Sequence, residues 1–126
     1  PEYPASLSHV LVSEVLREEL GFTGVVCTDD LTMGAISDTY GMGEAAVLAV
    51  EAGCDLLLVC HGADNLTQAR QALLGAVDGG RISPARLEES VYRILALKAE
   101  YGLTNQTVEA PDVAALNQAV QALLGE

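Results

Sequence analysis

The sequence predicts an α/β fold in which two parallel strands are flanked by helices. Residues 24–28 and 55–60 are short apolar runs that do not alternate with polar residues, which is typical of strands buried on both faces. Between them, small and apolar residues at helical spacing predict a helix over about residues 43–53. Strand, helix and strand form a βαβ unit, whose crossover is right-handed in nearly all known cases.

Further helices are predicted before and after this unit from helical periodicity and from residues that start or stop helices. The pair Ser83–Pro84 gives the clearest start, because serine is a common N-cap and proline fits the first helical turn. The predicted helices run from Ser8 to about Leu20, from a cap at Asp64 to the turn at 78–80, from Ser83–Pro84 to the stop at Gly102, and from Pro111 onward, after a polar linker at 104–110.

Two strands of this kind need neighbouring strands. Each presents unpaired N–H and C=O groups and apolar side chains on both faces. A complete (β/α) barrel has eight strands in about 250 residues, and an open doubly wound sheet would be short of strands in the same way. The chain also begins at Pro1, without an initiator methionine or a signal peptide, so we expect a piece of a longer protein.

Charge and composition narrow the classes of function. The 126 residues include 18 acidic and 6 basic side chains, for a net charge of -12, which disfavours binding to nucleic acid or to an anionic membrane. The longest apolar runs, such as 56–60, are far shorter than the roughly 20 residues that span a bilayer. A neutral or cationic ligand fits this charge better.

Three cysteines, Cys27, Cys54 and Cys60, lie in or beside apolar runs. Their number is odd and no pair has CxxC spacing. We therefore expect buried free thiols in a reducing compartment, and we predict no metal site.

The first predicted strand leads directly into two adjacent carboxylates, Asp29 and Asp30. Ligands bind at the carboxyl ends of the strands in barrels and in open parallel sheets, so position alone makes Asp29 a candidate catalytic residue. An equally open alternative is that one of the two aspartates caps the turn at 31–33 by accepting backbone N–H bonds. A site for a divalent metal is disfavoured, because the chain offers no second acidic or histidine cluster.

Several segments follow one another in the order of a known family. They are residues 4–8 and 16–33, which end in Thr28-Asp29-Asp30-Leu31-Thr32-Met33, then 44–46, 52–60 and 86–98. Over about residues 4–103 this series resembles glycoside hydrolase family 3 from the approach to its nucleophile strand to its closing helix. The Asp-Asp-Leu-x-Met form is more similar to the β-N-acetylglucosaminidase (β-hexosaminidase) branch than to the glucosidase branch.

The resemblance implies a more specific fold than the strand and helix pattern does. We expect the C-terminal portion of a TIM-type (β/α)8 barrel, incomplete as an isolated chain. Residues 1–103 would belong to the barrel, and residues 104–126 would form a linker and a C-terminal helix.

The resemblance also implies roles for individual residues. Asp29 would be the catalytic nucleophile, which attacks the anomeric carbon and forms a covalent glycosyl-enzyme that water hydrolyses with retention. Asp30 would be a structural neighbour, held by backbone amides or by a basic group outside the chain. Met33 and His61 are candidate substrate-binding residues, although core packing for Met33 and an ordinary loop position for His61 are the simpler interpretations.

The acid/base residue of the mechanism is expected to lie outside this chain. The hexosaminidase branch takes its acid/base from a histidine on an earlier loop, within a Lys-His-Phe-Pro-Gly-His-Gly-like stretch that this sequence lacks. His9 lies on the wrong element to replace it. We therefore expect the isolated chain to be inactive.

The function implied by the resemblance is hydrolysis of saccharides that contain N-acetylglucosamine, as in cell-wall recycling, without a cofactor and in the cytoplasm. The expected partners are a small saccharide and either the missing barrel half or a strand-swapped copy. Two alternatives stay open. One is a family 3 β-glucosidase or β-xylosidase, and the other is an inactive module that binds partners by strand pairing.

Overall fold

The structure is a computed structural model that describes residues 3–125. The predicted architecture of two parallel strands with flanking helices is confirmed. In chain order the elements are a 3-10 turn at Ala5–Leu7, α1 (Val10–Glu19), β1 (Cys27–Asp30), α2 (Gly34–Ser37), α3 (Met42–Ala52), β2 (Leu56–Leu58), α4 (Ala63–Asp78), α5 (Pro84–Glu100) and α6 (Val113–Leu124). Helix α1 has the hydrogen bonding of a π-helix, in which an N–H donates to the carbonyl five residues earlier.

The two strands pair in parallel, with Cys27 opposite Leu56 and Asp30 opposite Leu58. The first predicted strand, 24–28, lies too early, because the pairing continues through both aspartates. Between the paired positions β1 has one more residue than β2, so the register shifts as in a β-bulge.

The prediction that both strands are buried on both faces is wrong for the described residues. Leu57 and Val59 pack against the helical core. In contrast, Leu56 and Leu58 are 41% and 43% exposed. The helices therefore cover one face of this two-stranded sheet and leave the other face accessible.

Small side chains allow α3 to pack closely inside the core. Ala45, Ala46 and Ala49 are fully buried, as is Leu31, the residue that follows β1. Helix α3 ends at Gly53, which has a φ of 115°, in the region that favours glycine. The turn at Gly53 then leads the chain directly toward β2.

Two helix predictions hold closely. Ser83 caps α5, because its Oγ accepts the N–H of Arg86 at 3.2 Å. Helix α1 begins at Val10, slightly later than predicted, although Ser8 Oγ still accepts the N–H of Leu11 at 3.4 Å.

The other two C-terminal helices start differently from prediction. Asp64 does not cap α4, which begins at Ala63 and places Asp64 inside its first turn. Helix α6 begins at Val113 rather than at Pro111, because the Asp112 carboxylate caps it.

Helix α5 is attached to the sheet mainly by polar side chains. Its apolar residues Leu87, Val91 and Leu95 are between 37% and 58% exposed. At the start of β2, by contrast, the Asp55 side chain is 0% exposed and binds Ser90 and Arg93 of α5.

The Asp55 cluster also reaches α1 and the segment before β1. One carboxylate oxygen accepts bonds from Arg17 at 2.7 Å and from the N–H of Val26 at 3.0 Å. The other accepts bonds from the Ser90 hydroxyl at 2.7 Å and from Arg93 at 3.1 Å. A single buried carboxylate therefore joins four segments at the amino-terminal end of the sheet.

The prediction of buried thiols is wrong for two of the three cysteines. All three are free, but only Cys54 is buried, whereas Cys27 and Cys60 are exposed. Their exposure follows from their positions in and just after the two strands, where the helices leave the sheet accessible. None of the helices within residues 3–125 is long and apolar enough to cross a membrane.

Candidate active site

Asp29 lies near the carboxyl end of β1 and is exposed to solvent. It belongs to the strand itself, because β1 extends to Asp30. One of its carboxylate oxygens accepts the N–H of Asp30 at 2.8 Å. No ion pair involving Asp29 occurs among residues 3–125. The carboxylate therefore keeps an oxygen available at the edge where parallel sheets bind ligands.

Asp30 is engaged through both oxygens. Oδ1 accepts the N–H groups of Thr32 and Cys60, both at 3.0 Å, and Oδ2 accepts the Thr32 hydroxyl at 2.5 Å. The Thr32 hydroxyl first, and then the two amides, lower the pKa of Asp30 to about 2. The carboxylate stays ionised at neutral pH.

These contacts distinguish the two aspartates. Asp30 accepts the turn amide of Thr32, as the capping alternative predicted for one member of the pair. Backbone amides hold it, as expected for the structural neighbour. Asp29 makes no such bond to the turn, so its carboxylate is the one that is open to a ligand.

Met33 and His61 lie at the same edge of the sheet. Met33 follows β1 and is 51% exposed. The His61 side chain is 81% exposed, and its Nε2 lies 3.8 Å from Oδ2 of Asp30. The structure thus brings both residues near the aspartates, and their contact with substrate stays a prediction. His9 lies elsewhere, just before α1, with its Nδ1 3.6 Å from Glu14.

Two polar residues of importance were not singled out from the sequence. Thr28 is 3% exposed, and its hydroxyl accepts the N–H of Leu58 at 3.0 Å. Asp55 is the centre of the buried cluster described above. A signal for Asp55 was present, because Ser90, Arg93 and Arg86, whose guanidinium lies 3.5 Å from the Asp55 carboxylate, share one face of a predicted helix. No local pattern pointed to a role for Thr28 beyond its place before the two aspartates.

Metal ligands are not grouped in the described part of the chain. Within residues 3–125, no set of three or more histidine, cysteine, aspartate or glutamate side chains could hold a metal ion.

A βαβ unit with an open carboxylate at the carboxyl end of its first strand is an arrangement found in (β/α) barrel enzymes. The chain belongs to glycoside hydrolase family 3, because residues 1–97 match the model described as the glycosyl hydrolase family 3 N-terminal domain. The resemblance to this family and the TIM-type fold are thereby confirmed.

Individual relatives support the β-N-acetylglucosaminidase branch. A β-N-acetylglucosaminidase/β-glucosidase from Cellulomonas fimi is 36% identical over 104 residues, which are 82% of this chain and 18% of the relative. A β-hexosaminidase from Neisseria meningitidis serogroup C is 40% identical over 68 residues, which are 54% of this chain and 19% of the relative.

A solved structure gives the same result. The family 3 β-N-acetylglucosaminidase from Paenibacillus sp. str. FPU-7 is 47% identical with a TM-score of 0.83, and the match covers 90% of this chain and 22% of that protein. This chain spans about a fifth of the length of these relatives.

Proposed function

We propose that this chain supplies the nucleophile, Asp29, of a retaining β-N-acetylglucosaminidase. The observation that carries the proposal is the exposed Asp29 carboxylate at the carboxyl end of β1 in a family of glycosidases. The branch is supported by the relatives from Neisseria and Paenibacillus, whose names describe hexosaminidases. Saccharides that contain N-acetylglucosamine, including those of cell walls, are the proposed substrates.

In this mechanism Asp29 attacks the anomeric carbon while an acid protonates the departing oxygen. Water then hydrolyses the glycosyl ester, and the configuration is retained. Asp30 is unsuited to the acid role, because a carboxyl with a pKa of about 2 carries no proton at neutral pH. We propose that the proton donor is a group outside this chain, as the resemblance to the hexosaminidase branch implies.

A chimera tests the proposal directly. Residues 3–103 of this chain would replace the matching segment of the Paenibacillus enzyme, which retains its own acid/base and sugar-binding residues. We expect turnover of an aryl β-N-acetylglucosaminide by the chimera and none above background after Asp29→Asn. The exposed acid Asp64, in the first turn of α4, provides the control Asp64→Asn, which should keep full activity.

Trapping identifies the nucleophile independently of rate. A 2-fluoro sugar should label the chimera on the peptide that contains Asp29. The isolated 126-residue chain should show no turnover, because loss of the proton donor alone costs about 10² to 10⁴ in rate. Labelling of another carboxylate, or turnover by the isolated chain, would contradict the proposal.

The glucosidase alternative is supported by the name of the Cellulomonas relative, which includes both activities. It differs from the main proposal only in the sugar. The same chimera, assayed with aryl β-glucoside and aryl β-N-acetylglucosaminide, separates the two by the ratio of kcat/KM.

A second candidate function is strand pairing with another chain. The observation that favours it is that the sheet within residues 3–125 has two strands only, so β1 and β2 each have one edge with no neighbouring strand there. The sheet face beside these edges is accessible, with Leu56 and Leu58 at 41% and 43% exposure. Light scattering after size exclusion should then give a dimer mass that falls to the monomer on dilution. A compact monomer with even hydrogen-exchange protection over both strands would count against this function.

A further inference from the structure

Two side chains of β1, rather than main-chain carbonyls, accept hydrogen bonds from the backbone N–H groups of β2 and of the residues just after it. The N–H of Leu58 donates to the Thr28 hydroxyl, and the N–H of Cys60 donates to Oδ1 of Asp30, each at 3.0 Å. In an ordinary parallel pair such amides donate to main-chain carbonyls of the neighbouring strand. Alternate amides of β2 and its continuation are thus bound by side chains.

This substitution occurs where the register shifts. Between the paired positions, β1 carries Thr28 and Asp29, whereas β2 carries only Leu57. An extra residue at a bulge displaces the main chain and changes where a side chain points, and bulges are common beside active sites. The residue flanked by the two bridging side chains is Asp29.

Asp30 extends the same bonding to the turn after β1. The oxygen that binds Cys60 also accepts the N–H of Thr32 at 3.0 Å, and the second oxygen accepts the Thr32 hydroxyl at 2.5 Å. Asp30 therefore joins the end of β1, the turn after it and the end of β2. Asp29 therefore lies between two residues whose side chains are fixed, the buried Thr28 and Asp30, which is bound on both oxygens.

We propose that Thr28 and Asp30 are positioning residues that replace main-chain acceptors at the bulge and thereby fix the direction of the Asp29 carboxylate. The catalytic part of this inference rests on the proposed function. The structural part, in which the two side chains hold the amides of Leu58 and Cys60, is independent of it.

The hydrogen bonds of Thr28 and Asp30 determine which substitutions test the proposal. Valine has the shape of threonine but no acceptor, so Thr28→Val would leave a ladder amide unbonded next to a buried side chain. Asparagine keeps one acceptor oxygen, so Asp30→Asn retains the two amide bonds and loses the charge. Thr28→Ser keeps the hydroxyl and serves as the conservative variant.

Amide hydrogen exchange of the full 126-residue chain, followed by NMR, tests the structural part. Thr28→Val should speed exchange at Leu58 by roughly tenfold, which is the factor expected for losing about one hydrogen bond, and Thr28→Ser should restore protection. Asp30→Ala should do the same at Cys60 and Thr32.

Thr67→Val is the matched control, because the exposed Thr67 hydroxyl donates to the Ala63 carbonyl within its own helix, away from both strands. It should leave exchange in both strands unchanged. Leu58 protection that survives Thr28→Val, or a rise in exchange spread evenly over both strands, would overturn the inference. If Thr28→Val does not fold, Thr28→Ser decides, since failure of the hydroxyl-bearing variant to protect Leu58 would also overturn it.

The chimera tests the catalytic part. Thr28→Val and Asp30→Ala, which remove the acceptors, should lower kcat by at least about tenfold with KM changed less than about threefold, as for groups that orient a reacting atom. Asp30→Asn, which keeps the two amide bonds, should lower kcat less than Asp30→Ala does. Thr28→Ser should restore kcat. Unchanged kcat in an active chimera would overturn the positioning role. An inactive unaltered chimera would instead refute the proposed function, and the exchange rates would still decide the structural part.

Discussion

Replacing Asp55 by asparagine should strongly destabilise the chain. The carboxylate is 0% exposed and accepts bonds from two guanidinium groups, one hydroxyl and one backbone amide. An asparagine has the same shape, but its NH₂ group would face donors at one of the two oxygen positions. The substitution therefore removes the negative charge, and it places the NH₂ group of asparagine against hydrogen-bond donors in a buried site.

The expected loss is about 3 kcal/mol. Removing one partner of a buried ion pair costs about 3–5 kcal/mol, because the other partner is left unpaired. The lower end applies here, since the side chains of Arg17 and Arg93 are 13% and 21% exposed and water can reach them. For a domain whose total stability is about 5–15 kcal/mol, such a loss is a large fraction.

Urea denaturation followed by circular dichroism measures this loss. With an m-value of about 1–3 kcal/mol/M, the midpoint should fall by about 1–3 M while m is unchanged. The control Asp78→Asn alters an exposed carboxylate at the end of α4 and should change stability by less than about 0.5 kcal/mol. A midpoint of Asp55→Asn that matches the control would refute the reasoning.

The pH dependence gives a second check of the same cluster. Burial raises the pKa of Asp55, but the Val26 amide, the Ser90 hydroxyl and the charge of Arg17 outweigh it, and the pKa lies below its usual range. The ionised carboxylate thus stabilises the fold above the unfolded-state pKa of about 3.9, and this contribution is lost as the pH falls through the folded-state value. The stability difference between the unaltered chain and Asp55→Asn should shrink below about pH 4, and a constant difference down to pH 2 would contradict the assignment.

Two further predictions concern thiols and glycines. Burial, with the charge of Asp55, raises the pKa of Cys54 to about 11, so a thiol reagent should modify Cys54 only on unfolding. The two exposed thiols should react in the folded chain, Cys60 more slowly than its exposure suggests, because desolvation and the nearby Asp30 raise its pKa. Rapid reaction of all three thiols would contradict this. Gly53→Ala should destabilise by more than about 1 kcal/mol, because the φ of 115° is unfavourable for alanine and its Cβ would lie 2.8 Å from Oγ of Ser13. Gly75→Ala, in α4 with nothing within 4 Å, should stabilise by about 0.5–1 kcal/mol, and urea midpoints that move together would refute the distinction.

The existence and order of the two strands and of the five longer helices could be read from the sequence because local signals set them, whereas the short helix α2 and the 3-10 turn at Ala5–Leu7 were not predicted. Ser83 and Pro84 define the start of α5, and Gly53 ends α3 where a positive φ is needed. The candidate position of Asp29 was also accessible from the sequence, because an acid that follows an apolar strand lies at the ligand-binding edge of a parallel sheet. Its role as nucleophile came from the resemblance to family 3, since the strand-end pattern left a capping role equally open.

The strand boundaries and the burial of individual residues were not accessible in this way. The pairing of Asp30 with Leu58 depends on a partner 28 residues away, and it moved β1 past its predicted end. The exposure of Cys27 and Cys60 depends on which face of the sheet the helices cover, which no local pattern specifies.

By itself, the sequence determined a βαβ unit with helices of defined starts and a pair of carboxylates at a strand end, because propensity, capping and periodicity act over a few neighbouring residues. Only the tertiary structure decided that Asp30 also accepts the N–H of Cys60 and that the Thr28 hydroxyl accepts the N–H of Leu58. The physical reason is that these two bonds exist only once β2 lies beside β1, whereas the bonds from Thr32 to Asp30 join residues two positions apart.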